Sequence, residues 1–457
     1  MSAPDAMSES LNYPALKRRA VASRSYRVKV NPANGQTFTA GQTINIDMPS
    51  NLSGTYCNWN QCYLKFKVTP VGGTGPINLD RCGAAGFINR LQVMTAGAQI
   101  FDLPNWNVLM TILMDGDSSP AYKAGIGNIL MGTQGGTQRG DTLVAGTGRT
   151  FCLPFVLHPF GMSTPHRLMP LFSSAPVQFK ISLESIVNSV KATVAPTALN
   201  FTEVELVCVF TETSPAAQAQ IDAMSGGVYN ILCSSYQNVG TTMSAGDTAV
   251  TSNLGISVSS LERMIVCHRP TSSLNNILAY SLGNRTKNGL ASYSIFVNGE
   301  QYPARPVVVE DNCAEALAEF LLSDHSLVNF DKQSSFNIAV TGAALDLKSN
   351  GLDGQSINGI LVPYTKEGAD ALGLEDGSTA LSASNIGSFI TGVEMETGLS
   401  DGRSQRLYSG ISTISSTVNY RGVYSAAPAA AQIDFFAQFT ILISLNSRGT
   451  NVFSVSV

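Results

Sequence analysis

Two stretches of this chain, residues 90–114 (RLQVMTAGAQIFDLPNWNVLMTILM) and 292–322 (SYSIFVNGEQYPARPVVVEDNCAEALAEFLL), follow one plan. Each runs from an apolar strand through a Gly turn into a second strand. Each second strand carries a Gln two residues past the Gly, and each stretch then passes a Pro and ends in an amphipathic helix. Gly97 aligns with Gly299 and Gln99 with Gln301 at one offset of 202 residues. An offset of that size is a domain length. The chain therefore reads as a duplicated β-rich domain.

Composition narrows the setting. Only 13% of the 457 residues are charged, against about a quarter in an ordinary globular protein. Apolar content is ordinary at 44%, which excludes a disordered chain. Gly, Ser, Thr and Asn fill the polar positions. Hydroxyls and amides cost less to desolvate than charges, so this surface suits contact with neighbouring subunits. A net charge of −4 excludes the chain as a whole from binding polyanions. The first ten residues, MSAPDAMSES, lack the apolar core of a secretory signal. No apolar run approaches the roughly 18 residues of a membrane span. The eight cysteines form no paired CxxC array, so neither a zinc site nor a disulfide scaffold is expected. Cys57 and Cys62 are close in sequence and read as a reduced pair.

Residues 1–35 read as a basic N-terminal arm. Lys17, Arg18, Arg19, Arg24, Arg27 and Lys29 lie in it, and no acidic residue occurs between Glu9 and Asp47. Period-two alternation then dominates. Ile44, Ile46 and Met48 share one face, as do Leu64, Phe66 and Val68, then Val177, Phe179, Ile181 and Leu183. A strand around Glu203–Phe210 reads as buried on both faces in its second half. Ile433 to Leu445 alternates over seven apolar positions. Antiparallel strands between Gly, Pro and Asn turns imply sandwiches or barrels. Three helices are expected. The first covers 105–114, with Asn105 as its cap. The second covers 215–224, with Ser214 as cap and Gly226-Gly227 as its stop. The third covers 313–322, with Asn312 as cap, Glu315 completing a capping box, and Ala314, Leu317, Ala318 and Leu321 as its buried stripe. The expected layout is the arm, a first β-domain over 36–213, a linker helix over 214–227, and a second β-domain over 228–457. A Gly-rich insertion at 116–148, carrying nine glycines, reads as an exposed loop or tower, and 341–385 and 396–406 read as similar loops.

No catalytic constellation stands out. His158, His166, His268 and His325 belong to no HExxH or Cys/His array. GxSxG is absent, and the glycines of 125–140 are not followed by GK[ST]. Acidic residues cluster at Glu310-Asp311 and at Glu394 and Glu396, where a glycosidase pair is conceivable; a helix dipole explains the first cluster equally well. Arg139, Gly140 and Asp141 spell an RGD tripeptide within the Gly-rich insertion, a weak candidate for receptor binding. Three glycosylation sequons begin at Asn51, Asn200 and Asn284 and are expected to be unmodified.

The strand ending in Pro (QTINIDMPSNLSG, 42–54), the strand after it (NWNQCYLKFKVTP, 58–70) and the two strand–Gly–strand–helix units carry a resemblance. The chain resembles the double jelly-roll major capsid proteins of the adenovirus and tailless-phage lineage, of the polinton-like virus or virophage type. That resemblance implies an all-β fold: two antiparallel eight-stranded jelly-roll sandwiches in tandem with a few short flanking helices. It implies a structural protein, with no catalytic residue, no metal and no cofactor. Three chains would form a pseudo-hexagonal trimeric capsomer of an icosahedral virion, assembled inside the host cell. The partners implied are two further copies in a homotrimer, neighbouring capsomers, and minor or penton capsid proteins. The basic arm would face the interior, toward a genome or an inner membrane. Two other classes stay open at this level: a carbohydrate- or receptor-binding jelly-roll protein, and a β-sandwich glycoside hydrolase.

Overall fold

The computed structural model describes residues 23–456 apart from 74, 96, 119–121, 134–140, 164–165, 173–175, 310–312, 325–355, 358–359, 362–388, 397–408, 426–427 and 447–452. His325, Glu310, Asp311 and the predicted cap Asn312 fall outside the described residues. So does the expected loop at 341–385, apart from the short strands Ser356–Ile357 and Ile360–Leu361, and that at 396–406, apart from Glu396.

Eight strands of the first half build one sandwich. They are β1 (Ser23–Val30), β2 (Thr43–Asp47), β3 (Tyr63–Val71), β4 (Ile88–Thr95), β5 (Ala98–Leu103), β6 (Arg149–Pro154), β7 (Val177–Leu183) and β8 (Ala198–Thr213). One sheet runs β1-β8-β3-β6 and the facing sheet runs β2-β7-β4-β5. The second half repeats this with β9 (Val228–Met243), β10 (Ala249–Asn253), β11 (Leu261–Pro270), β12 (Leu290–Val297), β13 (Glu300–Val308), β14 (Thr391–Glu394), β15 (Val418–Tyr424) and β16 (Ala431–Asn446). Its sheets run β9-β16-β11-β14 and β10-β15-β12-β13. Both halves thus have the same jelly-roll order, in which the first strand lies beside the last and the second beside the seventh.

The repeated motif is the β4–β5 hairpin and its counterpart β12–β13. Gly97 and Gly299 turn them with φ of 80° and 86°, a left-handed conformation that a β-carbon strains. The following helices are α1 (Trp106–Asp117) and, in the second half, α3 (Ala314–Ser323); α2 (Pro215–Ser225) lies between the halves. Ser214 caps α2 as expected, accepting the Ala217 N–H at 3.3 Å, and Gly226 ends it at φ 64°.

Alternation works as the physics requires. β3 and β7 bury every second residue, which packs Leu64, Phe66 and Val68 against Val177, Phe179 and Ile181 across the sandwich. β8 is buried on both faces from Leu206 to Phe210. A bulge before that run, with Glu203 at φ 54°, shifts the register between Thr202 and Glu205 and moves the inward set by one residue.

Four expectations need correction. First, the arm does not end at residue 35. Its last part, SRSYRVKV, is β1, paired with β8 from Ser23↔Thr213 to Val30↔Leu206. Without it the sheet would expose the β8 edge. Second, Asn105 does not cap α1. It sits at φ 52° with no side-chain cap bond, and its amide donates instead to Asn238 Oδ1 in the other half at 3.0 Å. Third, α3 fully buries Ala316, Phe320 and Ser323; of the expected stripe, Leu317 and Leu321 are part-buried against the core, Ala318 is half-buried, and Ala314 is exposed, with Cys313 at the cap position. Fourth, the insertion is not simply a loop. Lys123 and Met131 are buried in its helical turns, and its strand Thr142–Leu143 pairs with Ile77–Leu79.

Candidate functional site

The described residues offer chemistry little purchase. Five carboxylates are buried: Asp80, Asp115, Glu184, Glu262 and Asp434. Each is engaged. Glu184 accepts from Asn89 and Asn107, Glu262 from Gln438 and Thr440, and Asp434 pairs with Arg269 at 2.6 Å. His158 and His268 are fully buried, and burial pushes their imidazoles down to about 3 and about 4. Both rings are therefore neutral at pH 7. His158 donates from Nε2 to the Phe155 carbonyl at 3.1 Å and packs edge-on to Trp59.

The candidate basic residues divide. Lys17, Arg18 and Arg19 lie outside the described residues. Arg24, Arg27 and Lys29 stand on β1. Arg24 pairs with Glu212 at 2.7 Å and Lys29 with Glu205 at 2.9 Å, both acids lying on β8. Lys65 reaches Glu205 at 3.6 Å and Glu203 at 3.9 Å. Acids on β8 thus stand beside Arg24 and Lys29 of β1 and Lys65 of β3, so the described basic residues sit in a surface of mixed sign. Exposed pairs of this kind add little to stability, because water and salt screen them. The alternation of Tyr26, Val28 and Val30 with Arg27 and Lys29 is the sequence signal for a strand here. Of the RGD tripeptide, Arg139 and Gly140 lie outside the described residues. The Asp141 carboxylate is only a quarter exposed, pairs with Arg149, and accepts the Thr142 N–H at 2.8 Å.

What the structure adds is a seam between the two sandwiches. Asp115, near the end of α1, is buried with three cations around its carboxylate. Arg285 comes from the second half; Lys123 at 2.8 Å and Arg81 at 3.4 Å come from the first. Burial pushes the Asp115 carboxyl up. The charges of Lys123, Arg81 and Arg285 together outweigh it and hold the group well below the usual carboxylate range. Burial lowers the Lys123 ammonium, against the pull of Asp115. Beside this cluster, Asp80 Oδ2 accepts the Gly283 N–H at 2.6 Å. A β-carbon on Gly283 would stand 2.4 Å from Asp80 Oδ1, so only glycine lets the two halves approach here.

Other contacts extend the seam. Asn188 and Asn275 exchange two hydrogen bonds, at 3.1 and 2.8 Å, and the Ala192 N–H donates to the Ile277 carbonyl at 2.9 Å. Phe172 packs edge-on to Tyr229 with ring centres 4.9 Å apart. A single continuous apolar core includes residues of both sandwiches. None of these pairs is legible from sequence spacing, since Asp115 and Arg285 are 170 residues apart. The seam ties the two sandwiches together through a buried ion cluster, hydrogen bonds and a shared apolar core.

No family model and no curated protein matches the sequence. Solved structures do. The capsid protein in the quasi-atomic model of the PBCV-1 virus capsid aligns over 97% of this chain and 99% of its own, with TM-score 0.61 and 11% identity. The Sputnik virophage structure aligns over 100% of this chain and 93% of its own, with TM-score 0.55 and 7% identity. The mavirus major capsid protein aligns over 100% and 96%, with TM-score 0.52 and 12% identity. The likeness runs over nearly the whole chain, both sandwiches included, while sequence identity is only 7–12%. With two jelly rolls of identical strand order joined in tandem, the chain has the double jelly-roll fold of viral major capsid proteins.

Proposed function

We propose that this chain is a structural major capsid protein, and that three copies assemble into a pseudo-hexagonal capsomer of an icosahedral virion. The observation that carries this is the pairing of two jelly rolls over one continuous core within one chain. Two sandwiches per chain and three chains give six similar sandwiches around one axis, a tile that packs hexagonally. Full-length likeness to capsid proteins of PBCV-1, Sputnik and mavirus supports the reading. So do the low charge and the absence of an unengaged buried carboxylate among the described residues. The remaining partners in this reading are neighbouring capsomers and minor or penton proteins. The residues before β1, with Lys17, Arg18 and Arg19, would extend toward the genome or an inner membrane.

The insertion supplies a contact surface for the trimer. Ile126 is 63% exposed and Ile129 76%, large aliphatic side chains that a free monomer gains nothing by displaying. A second copy of this chain is the occupant this reading assigns them. The purified chain is expected to sediment at about three times its 48.3 kDa mass and to show pseudo-hexagonal particles by electron microscopy. The double variant Ile126→Asp/Ile129→Asp is expected to sediment as a folded monomer, with a melting temperature below that of the trimer because subunit association stabilises the native state. A wild-type chain that stays monomeric at micromolar concentration would overturn the proposal.

A further inference from the structure

Three cysteines from separate parts of the first half meet inside its sandwich. Cys57 ends the short strand Thr55–Cys57, Cys62 follows the turn Trp59–Gln61, and Cys208 lies on β8. Their sulfurs lie within 4.8 Å of one another, with Cys57 Sγ 3.7 Å from Cys62 Sγ. None is more than 3% exposed. Among the described residues, no imidazole or carboxylate joins the group.

The backbone sets this spacing. The strand Thr55–Cys57 pairs with β8 so that Cys57 stands opposite Phe210. Cys208 is two residues from Phe210 and shares its face. The turn Trp59–Gln61, anchored by the buried Trp59 side chain, brings Cys62 back to the same point. All three thiols therefore sit on strand or turn positions that the sandwich core holds in place.

A disulfide needs sulfurs about 2.05 Å apart. Thiolates bound to one ion at about 2.3 Å stand roughly 3.7–4.0 Å apart in a trigonal or tetrahedral array. The observed 3.7 Å belongs to the second geometry. A ligand set of sulfur alone selects soft cations. A surface pocket of about 480 Å³, lined by Ser25, Tyr26, Arg27, Gln61 and Val209, lies beside the chain neighbours of Cys62 and Cys208 and is lined by none of the three thiols.

We propose that Cys57, Cys62 and Cys208 form a three-thiolate site for one soft d10 cation, of the copper(I) or zinc(II) class. As each metal–sulfur bond forms, the thiol proton passes to solvent, so uptake releases up to three protons per ion. The ion would tie the 55–62 segment to β8 within the sheet that carries β1.

Cadmium(II) is the probe. The full chain, fully reduced and freed of reductant, is titrated while the ultraviolet thiolate-to-cadmium charge-transfer band is followed. One equivalent per chain is expected to saturate the band, and the melting temperature is expected to rise with it. Cys208→Ser and Cys62→Ser are each expected to lose most of the band, and Cys152→Ser, on β6 and outside the cluster, to keep it. Two results would overturn the site: a folded wild-type chain with all thiols free and no band at excess cadmium, or a band that survives in Cys62→Ser. The wild-type titration decides even where a serine variant does not fold.

Discussion

Replacing Asp115 with alanine is expected to destabilise the folded chain by about 3–5 kcal/mol, the usual cost of stranding one side of a buried ion pair. The cost is high here because three cations share that carboxylate. The Arg285 side chain is 0% exposed, that of Lys123 7% and that of Arg81 13%. Without the carboxylate, their mutual repulsion acts in a dry site where water screens little. Arg285→Ala is expected to cost less, since Lys123 and Arg81 still neutralise Asp115. The comparison matters more than either value. Arg285 is the member that crosses between sandwiches, so both variants are expected to split one calorimetric transition into two. Denaturant unfolding gives the loss and calorimetry the splitting. An Asp115→Ala chain within 1 kcal/mol of wild type would show that the cluster does not hold the halves together.

The second large effect is acid sensitivity. An unfolded imidazole titrates near 6.5. His158 and His268 are held at about 3 and about 4 by burial, with Nδ1 of each ring lacking a hydrogen-bond partner among the described residues. In this window the unfolded chain binds protons that the folded chain refuses, so stability falls as pH falls. The contribution is complete above about pH 6.5. It declines by about 1.4 kcal/mol per pH unit for each ring, down to about pH 4 for His268 and about pH 3 for His158. The urea midpoint is expected to drop steadily between pH 6.5 and 4.5, ahead of bulk carboxylate protonation. His158→Gln is expected to remove about half of the slope while lowering stability at pH 7.5. A midpoint that is flat over this range would mean that the rings titrate normally.

Much of the fold is legible in the sequence because sheets write a period of two. Phe179 and Ile181 alternate with Lys180 and Ser182, and the structure buries one set and wets the other. The Gly97 and Gly299 hairpins are legible because a tight left-handed turn favours glycine. β1 was harder. Only Val30 on it is fully buried, and its basic residues look like a solvated arm until Glu205 and Glu212 on β8 are placed beside Lys29 and Arg24. Likewise Asn105 has the composition of a cap, yet a tertiary partner, Asn238, claims its side chain.

Spacing and composition are enough for the class: a β-rich chain, duplicated at a domain-sized offset, with little charge. Local chemistry suffices for that, since periodicity and turn residues act over a few neighbours. Only the tertiary structure decided that Asp115 meets Arg285, that Asp80 meets Gly283, and that Cys208 joins Cys57 and Cys62. Those contacts depend on the jelly-roll crossovers and on how two sandwiches dock. Pairings this far apart in sequence leave no trace in local spacing, because backbone closure rather than sequence proximity brings them together.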